Sequence, residues 1–379
     1  MSPSMFPTQH AAVLHAAKDL RLEERIVWSP KPGEVQVQIA STGLCGSDLH
    51  YYKHGRNGEF AVRQPLVLGH EASGIVTAVG AGVTGLVVGQ RAAIEAGIMC
   101  RKCSFCQSGR YNLCKSMRFC SSAAAFPHVD GTLQTRINHP AHVVHPLPDT
   151  CSFEQAALAE PLSVLVHASR RAELTAGQSV LVLGTGAIGV LACAHARSLG
   201  ASRVAAIDIN QTRLDFAKKN GFADQTYCFP PADSPKNAEE QLRRAKENAS
   251  LALAALDKED GFDVVFECSG AEPCIQMSIH AATTGGKVML IGMGTKNATL
   301  PLSSAALREV DIHGSFRYAN TYPAALELLS SRKLGNVEKL VTHRFKLQDA
   351  KKAFETLERG VDEDGRLVLK VMIGDGQVS

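Results

Sequence analysis

Four cysteines crowd together between positions 100 and 114 of the chain. They are Cys100, Cys103, Cys106 and Cys114, and their spacing is C-x2-C-x2-C-x7-C. Four thiolates at this spacing can surround a zinc ion tetrahedrally, and four protein ligands leave no position for water or substrate. An iron–sulfur centre and unligated thiols are the alternatives. We therefore predict a structural zinc that holds a loop and takes no part in chemistry.

A second set of possible metal ligands precedes this cluster. Cys45, His70 and Glu71 each lie in a turn marked by glycine. A cysteine, a histidine and a glutamate with an open fourth position are typical of a catalytic zinc. Three such residues also occur by chance in a chain of this length. Spacing alone therefore leaves a metal site and three unrelated residues as open alternatives.

A glycine-rich turn indicates nucleotide binding. Gly184, Gly186 and Gly189 fit the fingerprint G-x-G-x-x-G, directly after the apolar run 180–183 and before the helix-compatible stretch 190–199. The glycines allow a tight turn and close approach of the backbone to a pyrophosphate, which the start of the helix then attracts. An isolated turn of this kind is often only structural, so the prediction depends on an acidic residue at the end of the next strand.

Such an acidic residue is present at the distance that the fingerprint requires. Asp208 lies 19 positions after Gly189, at the end of the next apolar run. A carboxylate at this place accepts a hydrogen bond from the adenosine ribose and repels a 2′-phosphate, which predicts NAD rather than NADP. Arg213 complicates this prediction, because a guanidinium five positions further on could stack near adenine or meet a phosphate.

The elements that must position these residues fall into two regions. At 379 residues the chain is long enough for two domains. The first part contains short strands that alternate polar and apolar residues, such as 34–39 and 74–79. From Ser179 onward, strand-length apolar runs alternate with helix-length segments, at 179–183, 203–207, 263–267 and 287–291. We predict an α/β protein with a β-rich domain and a doubly wound parallel sheet, and a surface helix over residues 231–260.

Composition excludes several classes of protein. The net charge is +3, with no block of like charges that would predict binding to nucleic acid. No apolar stretch reaches the roughly 18 residues that cross a bilayer, and the N-terminus does not read as a secretory signal. Eleven cysteines without such a signal favour a compartment that keeps thiols reduced, so we expect a cytoplasmic protein that binds no membrane.

The motifs together resemble one known superfamily along nearly the whole chain. In the order Cys45-Gly-Ser-Asp48, Gly69-His-Glu71, the four cysteines, the glycine-rich turn and Phe316-Arg-Tyr318, the chain is similar to zinc-dependent medium-chain dehydrogenases. Within them it most resembles the polyol dehydrogenases that act on sorbitol (L-iditol), xylitol and arabinitol. The stretches that carry this closer resemblance are Cys45-Gly-Ser-Asp-Leu-His-Tyr-Tyr52, Glu160-Pro-Leu-Ser163, Arg308-Glu-Val-Asp311 and Phe316-Arg-Tyr-Ala-Asn-Thr321.

The resemblance implies an architecture and a role for each site residue. A GroES-like catalytic domain would comprise residues 1–161 and 315–379, with a Rossmann domain at 162–314, in a homotetramer. Cys45, His70 and Glu71 would hold the catalytic zinc. Glu160 would bind the metal's water or enter the metal sphere transiently. Ser47, together with His50 or Tyr51, would form the catalytic proton path. The substrate contacts would be Tyr51, Glu160, Arg317 and Tyr318; the cofactor contacts would be Gly184, Gly186, Ile188, Gly189, Asp208, Arg213, Gly292, Ser315, Phe316 and Arg317.

The resulting hypothesis is a zinc- and NAD-dependent enzyme that oxidises a secondary alcohol of a sugar alcohol to the ketose. The alternatives are an L-arabinitol 4-dehydrogenase, another zinc alcohol or threonine-type dehydrogenase, and an NAD-binding, zinc-stabilised redox sensor without turnover. The cationic and phenolic groups of Arg317 and Tyr318 favour a polyhydroxylated substrate over an alkyl alcohol. Asn57 and the loop at residues 120–130 depart from the usual pattern of the family, which leaves the choice of polyol open.

Overall fold

The computed structural model describes residues 7–231 and 233–374, and the chain divides into two units. The described part of the first unit comprises residues 7–161, 319–331 and 338–374. The described part of the second comprises residues 162–231, 233–318 and 332–337. The chain thus leaves the first unit twice, for a long segment at residues 162–318 and a short one at residues 332–337, and returns to it each time.

The strands are β1 (Thr8–Ala16), β2 (Asp19–Ile26), β3 (Glu34–Gly43), β4 (Arg56–Asn57), β5 (Phe60–Ala61), β6 (Leu66–Val67), β7 (Glu71–Val79), β8 (Arg91–Ile94), β9 (Gly97–Ile98), β10 (Arg118–Phe119), β11 (Arg136–Pro140), β12 (Val144–Pro146), β13 (Ser179–Leu183), β14 (Arg203–Asp208), β15 (Gln225–Cys228), β16 (Phe262–Glu267), β17 (Ala282–Leu290), β18 (Asp311–Gly314), β19 (Val341–Phe345) and β20 (Lys370–Ile373). The helices are α1 (Gly46–His54), α2 (Ser104–Gln107), α3 (Phe153–Ala157), α4 (Ala159–Ala172), α5 (Ala187–Ser198), α6 (Gln211–Lys219), α7 (Ala238–Ala255), α8 (Glu272–Ala281), α9 (Leu302–Ala306), α10 (Tyr322–Ser330) and α11 (Ala350–Arg359). Short 3-10 helices lie at Tyr111–Leu113, Ala141–Val143, Val337–Leu340 and Leu347–Asp349.

The first unit is built on a sheet that joins distant parts of the chain. Its strands follow the order β12-β8-β7-β3-β20-β19, with β11 paired to β3, and a smaller sheet has the order β2-β1-β6. Strand β20 comes from the end of the chain and pairs antiparallel with β3, so that Met372 lies opposite Gly43. The returning segment therefore places its side chains beside the turn that leads from β3 into α1.

The second unit contains a six-stranded sheet of the order β15-β14-β13-β16-β17-β18, and all of its strand pairs are parallel. In chain order this is 3-2-1-4-5-6, the order of the dinucleotide-binding fold, which reverses between β13 and β16. Strand β13 is buried along its whole length, as expected for a central parallel strand with helices on both faces. This topology confirms the α/β prediction with a doubly wound sheet.

An aromatic contact fixes the helix that follows Cys45. Tyr52 of α1 stacks on Phe354 of α11 with ring centroids 5.0 Å apart, and both side chains are fully buried. Burying side chains of this size contributes about 1.5–3 kcal/mol each. The core of the first unit thus holds α1 against a helix from the C-terminal part of the chain.

Two boundaries differ from the sequence analysis. The helix predicted over residues 231–260 is shorter, because the Asn237 side chain accepts a hydrogen bond from the Glu240 N–H and starts α7 at Ala238. Ala232, within the predicted range, lies outside the described residues. Residues 315–318 and 332–337, which the sequence analysis assigns to the catalytic domain, belong to the second unit because they pack there.

The length and apolar character of the helices show whether any of them could span a membrane. Among the described residues, we find no helix with both the length and the apolar character needed to cross a bilayer.

Close backbone packing around the glycine-rich turn gives a first prediction. A Cβ on Gly189 would lie 1.8 Å from the carbonyl oxygen of Gly184, whereas a Cβ on Gly186 would meet no atom within 4 Å. We expect Gly189→Ala to lower the free energy of unfolding by about 1–3 kcal/mol or more through overpacking. The matched control Gly186→Ala should stay within about 0.5 kcal/mol. Thermal unfolding without nucleotide measures both, and equal stability of the two variants would contradict this packing.

Candidate active site and metal centres

The turns around β3, α1 and β7 bring three metal-ligating side chains together. Cys45 is the N-cap residue of α1, His70 follows the left-handed Gly69, and Glu71 begins β7. One ligand atom from each of these three residues lies within 4.8 Å of the others. His70 and Glu71 are buried, and Cys45 is partly exposed. A soft sulfur, an imidazole nitrogen and a carboxylate oxygen at this distance fit a zinc ion with one side open.

A buried carboxylate faces His70. Asp48 is fully buried and one of its oxygens lies 3.3 Å from His70 Nδ1, which has no well-aligned hydrogen bond. Burial disfavours the charged imidazolium, but Asp48 and Cys45 outweigh it and raise the pKa of His70 well above its ordinary value. Metal-bound histidines commonly have such a carboxylate partner, which fixes the ring and strengthens it as a ligand.

A lysine from the end of the chain faces Glu71. Lys370 Nζ lies 2.8 and 2.7 Å from the two Glu71 carboxylate oxygens and donates to the Leu44 carbonyl at 3.1 Å. Burial disfavours the ammonium, but Glu71 and Cys45 outweigh it and raise the pKa of Lys370 above its ordinary value. The Glu71 side chain lies over Gly43, where a Cβ would come within 2.2 Å of Oε2. Glu71 is thus fixed by a cation on one side and a glycine on the other.

Three further residues of the predicted site, Glu160, Ser47 and Tyr51, lie in the same unit. Glu160 is buried in the first turn of α4, and its charge acts on Lys370, but its oxygens are not part of the group of three ligands. Ser47 is partly exposed on α1, directly before Asp48. Tyr51 is 2% exposed, and its hydroxyl accepts a hydrogen bond from the Ala123 N–H at 3.0 Å. The phenol proton of Tyr51 therefore remains available for donation.

The four cysteines form a compact group of sulfur atoms. All four Sγ atoms lie within 4.8 Å of one another; Cys106 Sγ lies 3.5 Å from that of Cys103 and 3.9 Å from that of Cys100. A tetrahedron with zinc–sulfur bonds of about 2.3 Å has edges of about 3.8 Å. The Cys106 N–H chiefly lowers the pKa of the Cys103 thiol, to about 6, whereas burial and the neighbouring thiols raise the pKa of Cys106, to about 12, so the case for a metal rests on the sulfur positions. The cluster therefore fits a structural zinc.

A hydrogen-bond network joins this cysteine lobe to the rest of the unit. The Tyr111 hydroxyl donates to the buried Glu95 at 2.7 Å and accepts from the Asn320 N–H at 2.8 Å. His145 lies 2.8 Å from the other Glu95 oxygen and stacks on Tyr322. The sequence alone contained no signal for this network. In this network His145 has a structural contact with Glu95. Among the residues described, no third group of metal ligands is found.

In the second unit, the glycine-rich turn follows β13 directly. Gly184 has a φ of 88°, in the region that favours glycine, and Gly186 is the N-cap residue of α5. Gly189 is buried in the first turn of this helix, with Ile188 partly exposed beside it. Backbone N–H groups at the start of a helix attract a phosphate. The turn therefore has the features that could bind a pyrophosphate.

Asp208 at the end of β14 is held by four donors. The Thr185 N–H and hydroxyl donate to one oxygen at 2.6 and 2.8 Å, and the N–H groups of Ile209 and Asn210 donate to the other at 2.7 and 2.9 Å. Arg213 lies in the first turn of α6, and its Nε is buried without a hydrogen-bond partner in the described chain. Thr185, which lies inside the glycine-rich turn but was not among the predicted site residues, fixes the position of this acid.

The remaining predicted cofactor and substrate contacts follow the last two strands of the same sheet. Gly292 comes after β17 and packs against Gly270, whose nitrogen would lie 2.2 Å from a Cβ on Gly292. Ser315 follows β18, and its N–H donates to the Leu290 carbonyl at 3.1 Å. Phe316 is half-exposed, Arg317 lies 4.9 Å over its ring, and Tyr318 is buried. The carboxyl edge of the sheet thus gathers the predicted nucleotide contacts.

The buried ion pair beside the first site gives a second prediction. Lys370→Met removes the ammonium and leaves the Glu71 carboxylate without its cation, so we expect the free energy of unfolding to fall by about 3–5 kcal/mol. The double variant Lys370→Met/Glu71→Gln carries no unpaired charge there and should recover most of the loss. Urea unfolding with a chelator present measures both variants. If Lys370→Met were as stable as wild type, the Lys370–Glu71 ion pair would not contribute to stability as predicted.

Comparisons with known proteins agree with this geometry. A family model for the alcohol dehydrogenase GroES-like domain matches residues 31–149, and one for zinc-binding dehydrogenases matches residues 187–331. A sorbitol dehydrogenase of Gallus gallus is 45% identical over 95% of this chain and 96% of its own. A probable D-xylulose reductase A of Emericella nidulans is 42% identical over 92% of this chain and 93% of its own.

A solved structure agrees as well. A protein of Escherichia coli described as a short chain alcohol dehydrogenase complexed with NADH is 25% identical and has a TM-score of 0.83, covering 97% of this chain and 99% of that one. These matches confirm the GroES-like and Rossmann fold class and an oxidoreductase that acts on CH–OH groups. Since both family models match and identity extends along nearly the whole chain, the protein belongs to the zinc-dependent medium-chain dehydrogenases, in the sorbitol and polyol dehydrogenase branch.

Proposed function

We propose that the protein oxidises a secondary alcohol of a sugar alcohol of the sorbitol, xylitol or L-iditol type to the ketose, with NAD as the hydride acceptor. The observation that carries the proposal is the group formed by Cys45, His70 and Glu71, whose ligand atoms all lie within 4.8 Å. Relatives named sorbitol dehydrogenase and D-xylulose reductase support a polyol as the substrate.

The catalytic zinc would be held by Cys45, His70 and Glu71. When bound there, zinc supplies a Lewis acid that makes a substrate hydroxyl easier to deprotonate. Asp48, which lies 3.3 Å from His70 Nδ1, would hold the His70 ring in orientation. Glu160, buried near Lys370, would hold the water of the metal, and the partly exposed Ser47 would pass the proton of the alcohol to solvent. Tyr51 would donate its phenol proton to a substrate hydroxyl, since its oxygen accepts a hydrogen bond from the Ala123 N–H.

Cys100, Cys103, Cys106 and Cys114 would hold a second, structural zinc. Sulfur separations of 3.5 and 3.9 Å support four thiolate ligands around one ion. With all four positions taken by protein, the residues can stabilise the lobe but cannot bind substrate. The proposal is therefore one catalytic and one structural zinc in each chain.

The NAD contacts are proposed along the carboxyl edge of the parallel sheet. The charge of Asp208 would repel a 2′-phosphate, and Ile188, Arg213, Gly292 and Ser315 to Arg317 would complete the cofactor site. Arg317 and Tyr318 would also donate hydrogen bonds to polyol hydroxyls, as the family resemblance implies. We further propose a homotetramer, from the same resemblance, and a cytoplasmic location, for which the eleven unpaired thiols are the supporting observation.

A polyol screen tests the function. We expect NAD reduction with at least one of D-sorbitol, xylitol, L-arabinitol, ribitol and L-iditol, and its loss with a chelator. His70→Ala and Glu160→Gln should each lower kcat by about 100-fold or more. His54→Ala changes an exposed histidine of the same helix as Ser47 and should leave kcat unchanged. Elemental analysis should find about two zinc ions per chain.

The outcomes of the screen separate the alternatives. A preference for L-arabinitol indicates an L-arabinitol 4-dehydrogenase, and turnover of simple alcohols or threonine alone indicates another branch of the family. A protein that binds NAD, resists chelation and oxidises no alcohol would be a redox sensor. Wild-type kcat in both His70→Ala and Glu160→Gln would refute the proposed catalytic site.

Cofactor selectivity tests the role of Asp208. We expect kcat/KM with NAD to exceed that with NADP by about 100-fold or more, because like charges at close range cost several kcal/mol. Asp208→Asn keeps an oxygen for the Thr185 donors but loses the charge, so the preference should narrow by about tenfold or more. Asp215→Asn changes an exposed carboxylate of α6 and serves as the control. A wild-type preference for NADP would overturn the assignment.

A further inference from the structure

We propose that Ser121, in the loop that departs from the family pattern, is a positioning residue that sets the zinc affinity of the Cys45–His70–Glu71 site. The inference rests on the proposed function, because it assumes a metal at these residues. It concerns a contact that the sequence analysis did not identify, between the loop at residues 120–130 and the carboxylate that faces His70.

The contact is a hydrogen bond between two buried groups. The Ser121 hydroxyl donates to Asp48 Oδ1, the same oxygen that lies 3.3 Å from His70 Nδ1. The Gly69 N–H donates to this oxygen at 3.2 Å, and the Cys45 N–H donates to the other at 3.3 Å. Ser121 is 3% exposed and Asp48 is fully buried. The carboxylate is therefore held from three directions, and Ser121 is the contact that comes from outside the ligand turns.

The loop is anchored well enough to hold this hydroxyl in place. The Ser121 N–H donates to the Val129 carbonyl at 3.0 Å, so the two ends of the loop meet. Asp130 accepts from the Val67 N–H at 3.0 Å, and His128 Nε2 accepts from the Arg63 N–H at 2.9 Å. A residue that does not touch the metal can still change the affinity for it, when it fixes the group that orients a metal ligand. Here it fixes Asp48, and through it the orientation of the His70 ring.

The backbone of Ser121 gives an independent argument for its hydroxyl. Its φ is 61°, a left-handed conformation that glycine adopts at no steric cost and that serine adopts rarely. A glycine would suit the backbone better, so the serine side chain is explained by its contact. The neighbouring Ser122, which is also buried, instead accepts a hydrogen bond from the Ala124 N–H at 3.3 Å and serves within the loop.

The test compares zinc affinity among matched variants of the full chain. Ser121→Gly and Ser121→Ala remove the hydroxyl, and Ser122→Ala is the control. Competition with a chromophoric chelator measures zinc binding at both metal sites, and the four-cysteine site is the internal reference. We expect the two Ser121 variants to weaken zinc at the Cys45–His70–Glu71 site by about 10–100-fold. The zinc affinity of the Ser122 variant, and that of the four-cysteine site in every variant, should change by less than about twofold.

Stability separates positioning from a loss of fold. Because glycine suits a positive φ and alanine does not, Ser121→Gly should lose less stability than Ser121→Ala with chelator present, while the zinc affinity of both variants falls to a similar extent. Unchanged zinc affinity in both Ser121 variants would overturn the inference. His70→Ala tells this failure from that of the proposed function: if it also leaves zinc binding unchanged, the metal site itself is wrong, and if it abolishes binding, only the role of Ser121 is wrong.

Discussion

The metal-ligand cluster of the first unit is possible only because its buried charges compensate one another. Glu71 and Asp48 are fully buried carboxylates, and an isolated charge removed from water costs far more than one fold can offset. Lys370 faces the first and His70 the second. Breaking one pair leaves a buried charge alone, so each partner constrains the position of the other. The sheet, the returning segment and α1 must all be in place for this arrangement to exist.

Topology delivers these partners to one place. Strand β20 pairs with β3 at the turn before Cys45, and β7 pairs with the same strand so that Glu71 lies opposite Gly43. A shift of one residue in the pairing of β7 with β3 would move the Glu71 side chain to the other face of the sheet, and the same shift of β20 would move the Lys370 side chain. Glycine at position 43 then leaves the space that the Glu71 carboxylate needs. The register of one sheet thus determines which atoms a metal can meet.

The second unit uses a different device for the same purpose. Parallel strands end at one edge, so the turns after β13, β14, β17 and β18 gather there. Asp208 is held by backbone and hydroxyl donors from its own neighbourhood, in contrast to the charged partners of Glu71. The cysteine lobe follows a third pattern, in which closely spaced ligands come from one short stretch and Glu95 joins the stretch to the rest of the unit.

Those parts of the fold and the site that depend on local spacing could be predicted from the amino-acid sequence. The alternation of strands and helices predicts the parallel sheet, which the structure confirms. The four cysteines and the glycine-rich turn with Asp208 are likewise predicted from their spacing, and the structure gathers the four sulfur atoms and places Asp208 beside the turn. The partners of the buried charges, in contrast, become known only from the folded chain. Lys370 lies 299 positions from Glu71 and Ser121 lies 73 from Asp48, and no periodicity relates residues so far apart. The reason is physical: which side chain compensates a buried charge depends on strand order and register, which are settled when the chain folds.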